Sequence, residues 1–115
     1  MRVLSNKLAE GLPDAHVVWC PACKILHKFY VNSFGLNKAR WTWNGDINRP
    51  TFSPSLIITI SSGDKNKSDI RCHSFLKNGI WEYLNDCTHE MAGKKVPLPD
   101  LPDWVLKHHR VNSDA

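Results

Sequence analysis

Apolar residues in this chain come in short runs that alternate with polar ones, and Gly, Pro, Asn and Asp bound the runs. A period of two marks half-buried strands rather than amphipathic helices. Leu4 and Leu8, four apart, predict one short amphipathic turn or helix over residues 2–10, ended by Gly11, Pro13 and Asp14. Residues 16–19 read as a strand, Cys20-Pro21-Ala22-Cys23 as a tight turn, and residues 25–31 as the return strand with Ile25, His27 and Phe29 on one face. A loop over 32–38 leads to a strand over 39–43 that stops at Asn44-Gly45-Asp46. Pro50 and Pro54 cannot donate ladder hydrogen bonds, so residues 49–54 are an irregular approach or an edge. An almost continuous apolar strand over 55–60 follows, which predicts that Ser55 is held rigidly near the sheet centre. Residues 61–69 form a solvated loop.

The clearest local signal is Asn78-Gly79 between runs 70–77 and 80–85, because a type I′ hairpin turn needs positive φ at both central residues. If Lys77 faces Ile80, strand alternation puts Cys72, Ser74, Asn85 and Cys87 on one face and His73, Phe75, Glu82 and Asp86 on the other. Cys72 and Cys87 are then diagonal neighbours, roughly 7–8 Å apart at Cα, a spacing that suits two ligands of one ion better than a relaxed disulfide. Beyond the hairpin, residues 86–93 predict one helical turn closed by Gly93. The proline-rich stretch 96–102 predicts an extended segment over the sheet, and Pro102-Asp103-Trp104 starts a terminal helix through Lys107. The fold class is mainly β: a small antiparallel sheet with a zinc-ribbon-like hairpin and short helical turns.

The four cysteines supply the first chemistry. Cys20 and Cys23, two residues apart in a tight turn, point both sulfurs at one tetrahedral ion, and Cys72 with Cys87 complete a structural zinc site with no open position for water. The alternatives are buried free thiols or disulfides. No amino-terminal apolar segment of the export type is seen, so the expectation is a cytoplasmic, reducing setting in which metal is the better use of the thiols. No apolar run is long enough to cross a bilayer. At 115 residues the chain reads as one domain over 1–115, frayed near 1–14 and 108–115. Its buried fraction leaves a thin margin of stability that a bound zinc would offset. The net charge of +4 is dispersed, so nucleic acid is permitted but not indicated. Four of the five tryptophans fall on predicted strands, which makes them sheet packing rather than base-stacking platforms.

With the metal shell closed, any catalysis must come from other groups. A serine becomes a nucleophile when a base takes its proton and a third group fixes the base. Ser55, His73 and an orienting partner suit those roles, the partner being His27 on the ribbon strand or Asp86 on the hairpin face of His73. His16, His108 and His109 read as ordinary polar positions, while His89 and His27 are the imidazoles that would replace a cysteine on the metal.

These motifs resemble a known family. Cys20-Pro21-Ala22-Cys23 with His27, Trp41-Thr42-Trp43-Asn44-Gly45-Asp46, Pro50 through Ser55, Cys72-His73-Ser74-Phe75 and Asp86-Cys87-Thr88-His89 through Pro99 look like small bacterial and phage zinc-containing proteins commonly labelled ammonia monooxygenase. That family is similar to the serine peptidase of bacterial ubiquitin-like (Bub) operons. The resemblance spans residues 17–104 and implies Ser55 as nucleophile and His73 as general base. It implies a peptidase, with a structural zinc, that trims a ubiquitin-like protein or similar C-terminal tail. Where the operon peptidases carry a Glu after the cysteine pair, this chain has Leu26 and His27. The contrasting expectation is a non-catalytic zinc-ribbon module that binds a protein.

Overall fold

A computed structural model describes residues 1–11, 15–31 and 40–108, the last without its side chain. Two antiparallel sheets make up the architecture. The first joins β1 (Arg2–Val3), β2 (Ala9–Gly11), β3 (Ala15–Cys20) and β4 (Ile25–Tyr30) in chain order. The second joins β5 (Thr42–Trp43), β6 (Phe52–Ile60), β7 (Ile70–Lys77), β8 (Ile80–Tyr83) and β9 (Lys95–Pro97), again in chain order. One short helix, α1 (Asp103–His108), follows. The mainly β expectation is met, with two sheets where the sequence suggested one.

The sheets face each other across a core of alternating side chains. Val18, Cys20 and Phe29 from the first meet Phe52, Leu56, Leu76 and Trp81 from the second. Phe29 stacks on Phe52 with ring centroids 4.2 Å apart, and the Trp81 indole donates to the Trp19 carbonyl at 3.0 Å, tying the sheets together. Truncating a wholly buried aromatic such as Trp81 costs about 3–5 kcal/mol. Trp41 and Trp81 do pack the core, while Trp104 on α1 is exposed. His16, read as an ordinary polar position, is instead buried against the Trp43 ring at 4.5 Å.

Three local readings are corrected. The 2–10 segment is no helix: the Ser5 hydroxyl accepts from the Lys7 and Leu8 amides, forming a turn that lets β1 and β2 pair and buries Leu8 and Ala9 completely. Residues 86–93 form successive turns instead of a helical one. The almost continuous apolar run 55–60 is not buried throughout, since among the described residues only one face of the second sheet is covered; Leu56 is buried and Ile57 is 57% exposed. The predicted 32–38 loop and the start of the 39–43 strand fall outside the described residues, as do His109 and the rest of the tail.

The turn chemistry follows expectation. Asn78 and Gly79 have φ of 50° and 74°, and Lys77 pairs with Ile80. The proline approach appears as a register shift: Phe52 pairs with Leu76 and Leu56 with Ser74, so four steps along β6 cover two along β7. Ser55 sits at the end of that bulge.

Candidate functional site

Alternation along β7 divides the chemistry between two faces. Cys72, Ser74 and Leu76 point into the core, whereas His73 and Phe75 lie on the outer face. Ile57 is the cross-strand partner of His73, so Ser55, two residues earlier on β6, occupies the same outer face diagonally. Ser55 Oγ lies 3.1 Å from His73 Nε2. On the other side of the ring, Nδ1 is 3.0 and 3.1 Å from the two carboxylate oxygens of Asp86. A carboxylate can only accept, so it fixes the proton on Nδ1 and leaves Nε2 free to accept from the serine hydroxyl. The His73 contact holds the Asp86 carboxyl below the usual carboxylate range.

Of the two orienting candidates, Asp86 stands against His73 and His27 does not. His27 is buried on the core side of β4, edge-on to the Trp81 ring, and its Nε2 has no hydrogen-bond partner. Its neighbours are thiols. One ligand atom each from Cys20, Cys23, His27 and Cys72 lies within 4.8 Å of all the others, so the cluster could hold a metal ion. The knuckle is built by backbone bonds, with the Lys24 amide donating to the Cys20 carbonyl and the Cys23 amide reaching Cys20 Sγ at 3.4 Å.

The thiols share their protons unequally. The neighbouring Cys72 thiol above all holds Cys20 down to about 3, while burial and then the charge on Cys20 push Cys23 up to about 11; Cys72 is raised by its contact with Cys20. Three sulfurs and an imidazole nitrogen converging on one point, with one buried nitrogen lacking a partner, are a donor set that fits a soft divalent cation. Cys87 stands apart from this set. It forms a second group with Cys72 and His89, and its sulfur accepts from the His73 amide at 3.2 Å and donates to the His73 carbonyl at 3.1 Å. Tyr83, not singled out from sequence, places its hydroxyl 3.1 Å from Cys20 Sγ. Its signal was present, because Tyr83 faces Ser74 across the hairpin and so shares the inner face of Cys72.

Ser74, the competing serine, is completely buried with no hydrogen-bond partner for its hydroxyl, on the face away from the His73 ring. No helix among the described residues is long and apolar enough to cross a membrane. A family model described as "Bacterial ubiquitination-like system serine protease (BubE)" matches residues 2–84. The match includes Ser55, His73 and the four clustered Cys and His residues but ends before Asp86 and Cys87. No curated protein and no solved structure matches the chain.

Proposed function

The chain belongs to the BubE family, the serine proteases of bacterial ubiquitination-like systems, and from this we propose that it is a zinc-stabilised serine peptidase using Ser55, His73 and Asp86. The observation that carries the reading is the unbroken chain of contacts from Ser55 Oγ through the His73 ring to the Asp86 carboxylate. His73 Nε2 takes the hydroxyl proton as Ser55 Oγ attacks a peptide carbonyl, and the Nδ1 proton stays on the ring, held by Asp86. His73 then gives its proton to the leaving amine. Water, deprotonated by the same imidazole, releases the acyl group from Ser55 and returns the hydroxyl.

Cys20, Cys23, His27 and Cys72 would hold zinc, whose contribution is to staple β3, β4 and β7 together on the side of the sheet opposite the serine. In this reading His27 serves the metal rather than His73, and Cys87 braces the His73 backbone. The substrate is the carboxy-terminal tail of a ubiquitin-like protein, in keeping with the system for which the family is named. The test is covalent labelling with a fluorophosphonate, followed by hydrolysis of a ubiquitin-like fusion. Wild-type protein should label at Ser55 and cleave, and Ser55→Ala should do neither while keeping its fold and metal; cleavage by Ser55→Ala removes the proposal.

A further inference from the structure

Among the described residues, the strand that carries Ser55 is open along one side. β5 pairs only with Phe52 and Ser53, and among the described residues no strand pairs with residues 54–60 on the side away from β7. The direction of the backbone groups there can be worked out from β7. The His73 amide and carbonyl bond to Cys87 and Leu84, and the Arg71 amide and carbonyl bond to Thr88, all on the β8 side. In an antiparallel ladder, the N–H and C=O of one residue point the same way, and so do those of its directly opposite partner's non-bonded pair, each away from the other. Ile57 faces His73 and Thr59 faces Arg71, so the amides and carbonyls of Ile57 and Thr59 point out of the sheet at the edge where no described strand pairs with them. The Ser55 carbonyl points the same way, and is met there by the Trp41 indole at 3.3 Å.

We infer that this edge is the substrate-binding strand: an extended peptide segment anneals to Ile57 and Thr59 and is thereby led to Ser55. The inference rests on the peptidase reading above. Its occupant is fixed by continuity with the catalytic serine. A strand added beside β6 lies about 4.8 Å away in the sheet plane, and its chain passes the residue whose Oγ contacts His73. The side chain of Ile57, 57% exposed on the same outer face as Ser55, then gives the alternate residues of the peptide an apolar neighbour. Recognition by main-chain bonds requires an unfolded segment, which selects tails and linkers over folded surfaces.

The test uses an eight-residue peptide picked as the best-cleaved member of a fluorogenic peptide mixture, with single N-methyl groups placed at each amide in turn. Pairing to Ile57 and Thr59 predicts a period-two pattern, with kcat/KM falling about tenfold at alternate amides and little at those between, since each ladder bond contributes roughly one factor of ten at most. Ile57→Pro removes an outward amide that β7 does not use, so it should lower kcat/KM for the peptide about tenfold beyond Ile57→Ala. A flat N-methyl profile overturns the inference whether or not Ile57→Pro folds, and so does labelling of Ser55 without cleavage of any peptide in the mixture. If Ser55 neither labels nor cleaves, the peptidase reading itself has failed.

Discussion

Replacing Asp86 with Asn separates the two candidates for the third catalytic group. In a fully buried triad, the same change leaves geometry intact and lowers kcat about 10⁴-fold, because an amide can stabilise the wrong ring tautomer and carries no charge to balance the imidazolium. Here the Asp86 side chain is 46% exposed and its Oδ2 lies 3.9 Å from Arg71, so water and a guanidinium already screen it. Both oxygens nevertheless stand at hydrogen-bond distance from Nδ1. The expected loss in kcat/KM is therefore about 30- to 300-fold, well short of the buried case. The assay is steady-state peptide hydrolysis at low and high salt with zinc content measured alongside. Exposure predicts that wild-type activity falls with salt and that Asp86→Asn activity is less sensitive to it. A loss under threefold, or an equal loss in His27→Gln with its metal still bound, would refute Asp86 as the orienting group.

Metal content discriminates among the thiols: His27→Ala and Cys20→Ser should lose zinc while Cys87→Ser retains it, as read by metal analysis of the pure proteins, and a zinc-free Cys87→Ser protein would return Cys87 to the ligand set. Stripping the metal should unfold the domain and abolish cleavage together, since structural zinc is worth on the order of 10 kcal/mol against a total of about 5–15 kcal/mol for a typical domain; circular dichroism after chelation checks this. Ser74→Ala should keep full activity and be neutral or stabilised by about 1 kcal/mol in urea unfolding, because it removes a buried hydroxyl that has no partner. Gly79→Ala should cost about 1–3 kcal/mol, since φ is +74° there and a Cβ would stand 3.1 Å from the Arg49 Cα; an unchanged urea midpoint would contradict the turn geometry.

What the sequence made legible was whatever depends on period and on turn chemistry. Asn78-Gly79 set the register of β7 and β8, and from that register came the two-faced division of Cys72 and His73. Neither period nor turn chemistry fixes the pairing of the Ser55 strand with the hairpin, and the register between β6 and β7 depends on a bulge that no residue count predicts. The choice between His27 and Asp86 was likewise illegible. It turns on how one sheet packs over the other, and period-two arguments end at the sheet they describe. The amino-terminal segment misled because two leucines four apart fit a helix, while a single serine hydroxyl accepting two amides outweighs so short a pattern.

The Cys/His cluster and the Ser55–His73 contact lie on opposite faces of the second sheet, and this has a mechanical consequence. Cys72 precedes His73 by a single peptide bond, and Cys87 follows Asp86 by another while bonding both backbone groups of His73. Two of the three positions of the proposed triad are therefore fixed from beneath by thiols, and only Ser55 arrives from a different strand, aimed by its own bulge. A small domain has too little core to hold a half-exposed carboxylate and imidazole in register by packing alone. Anchoring the backbone of His73 through Cys72 and Cys87, and that of Asp86 through Cys87, reduces that demand, because less than the whole segment is then left to order. Among the described residues no strand covers the outer face around Ser55 and His73, which leaves the serine open to an extended substrate paired along the edge of β6.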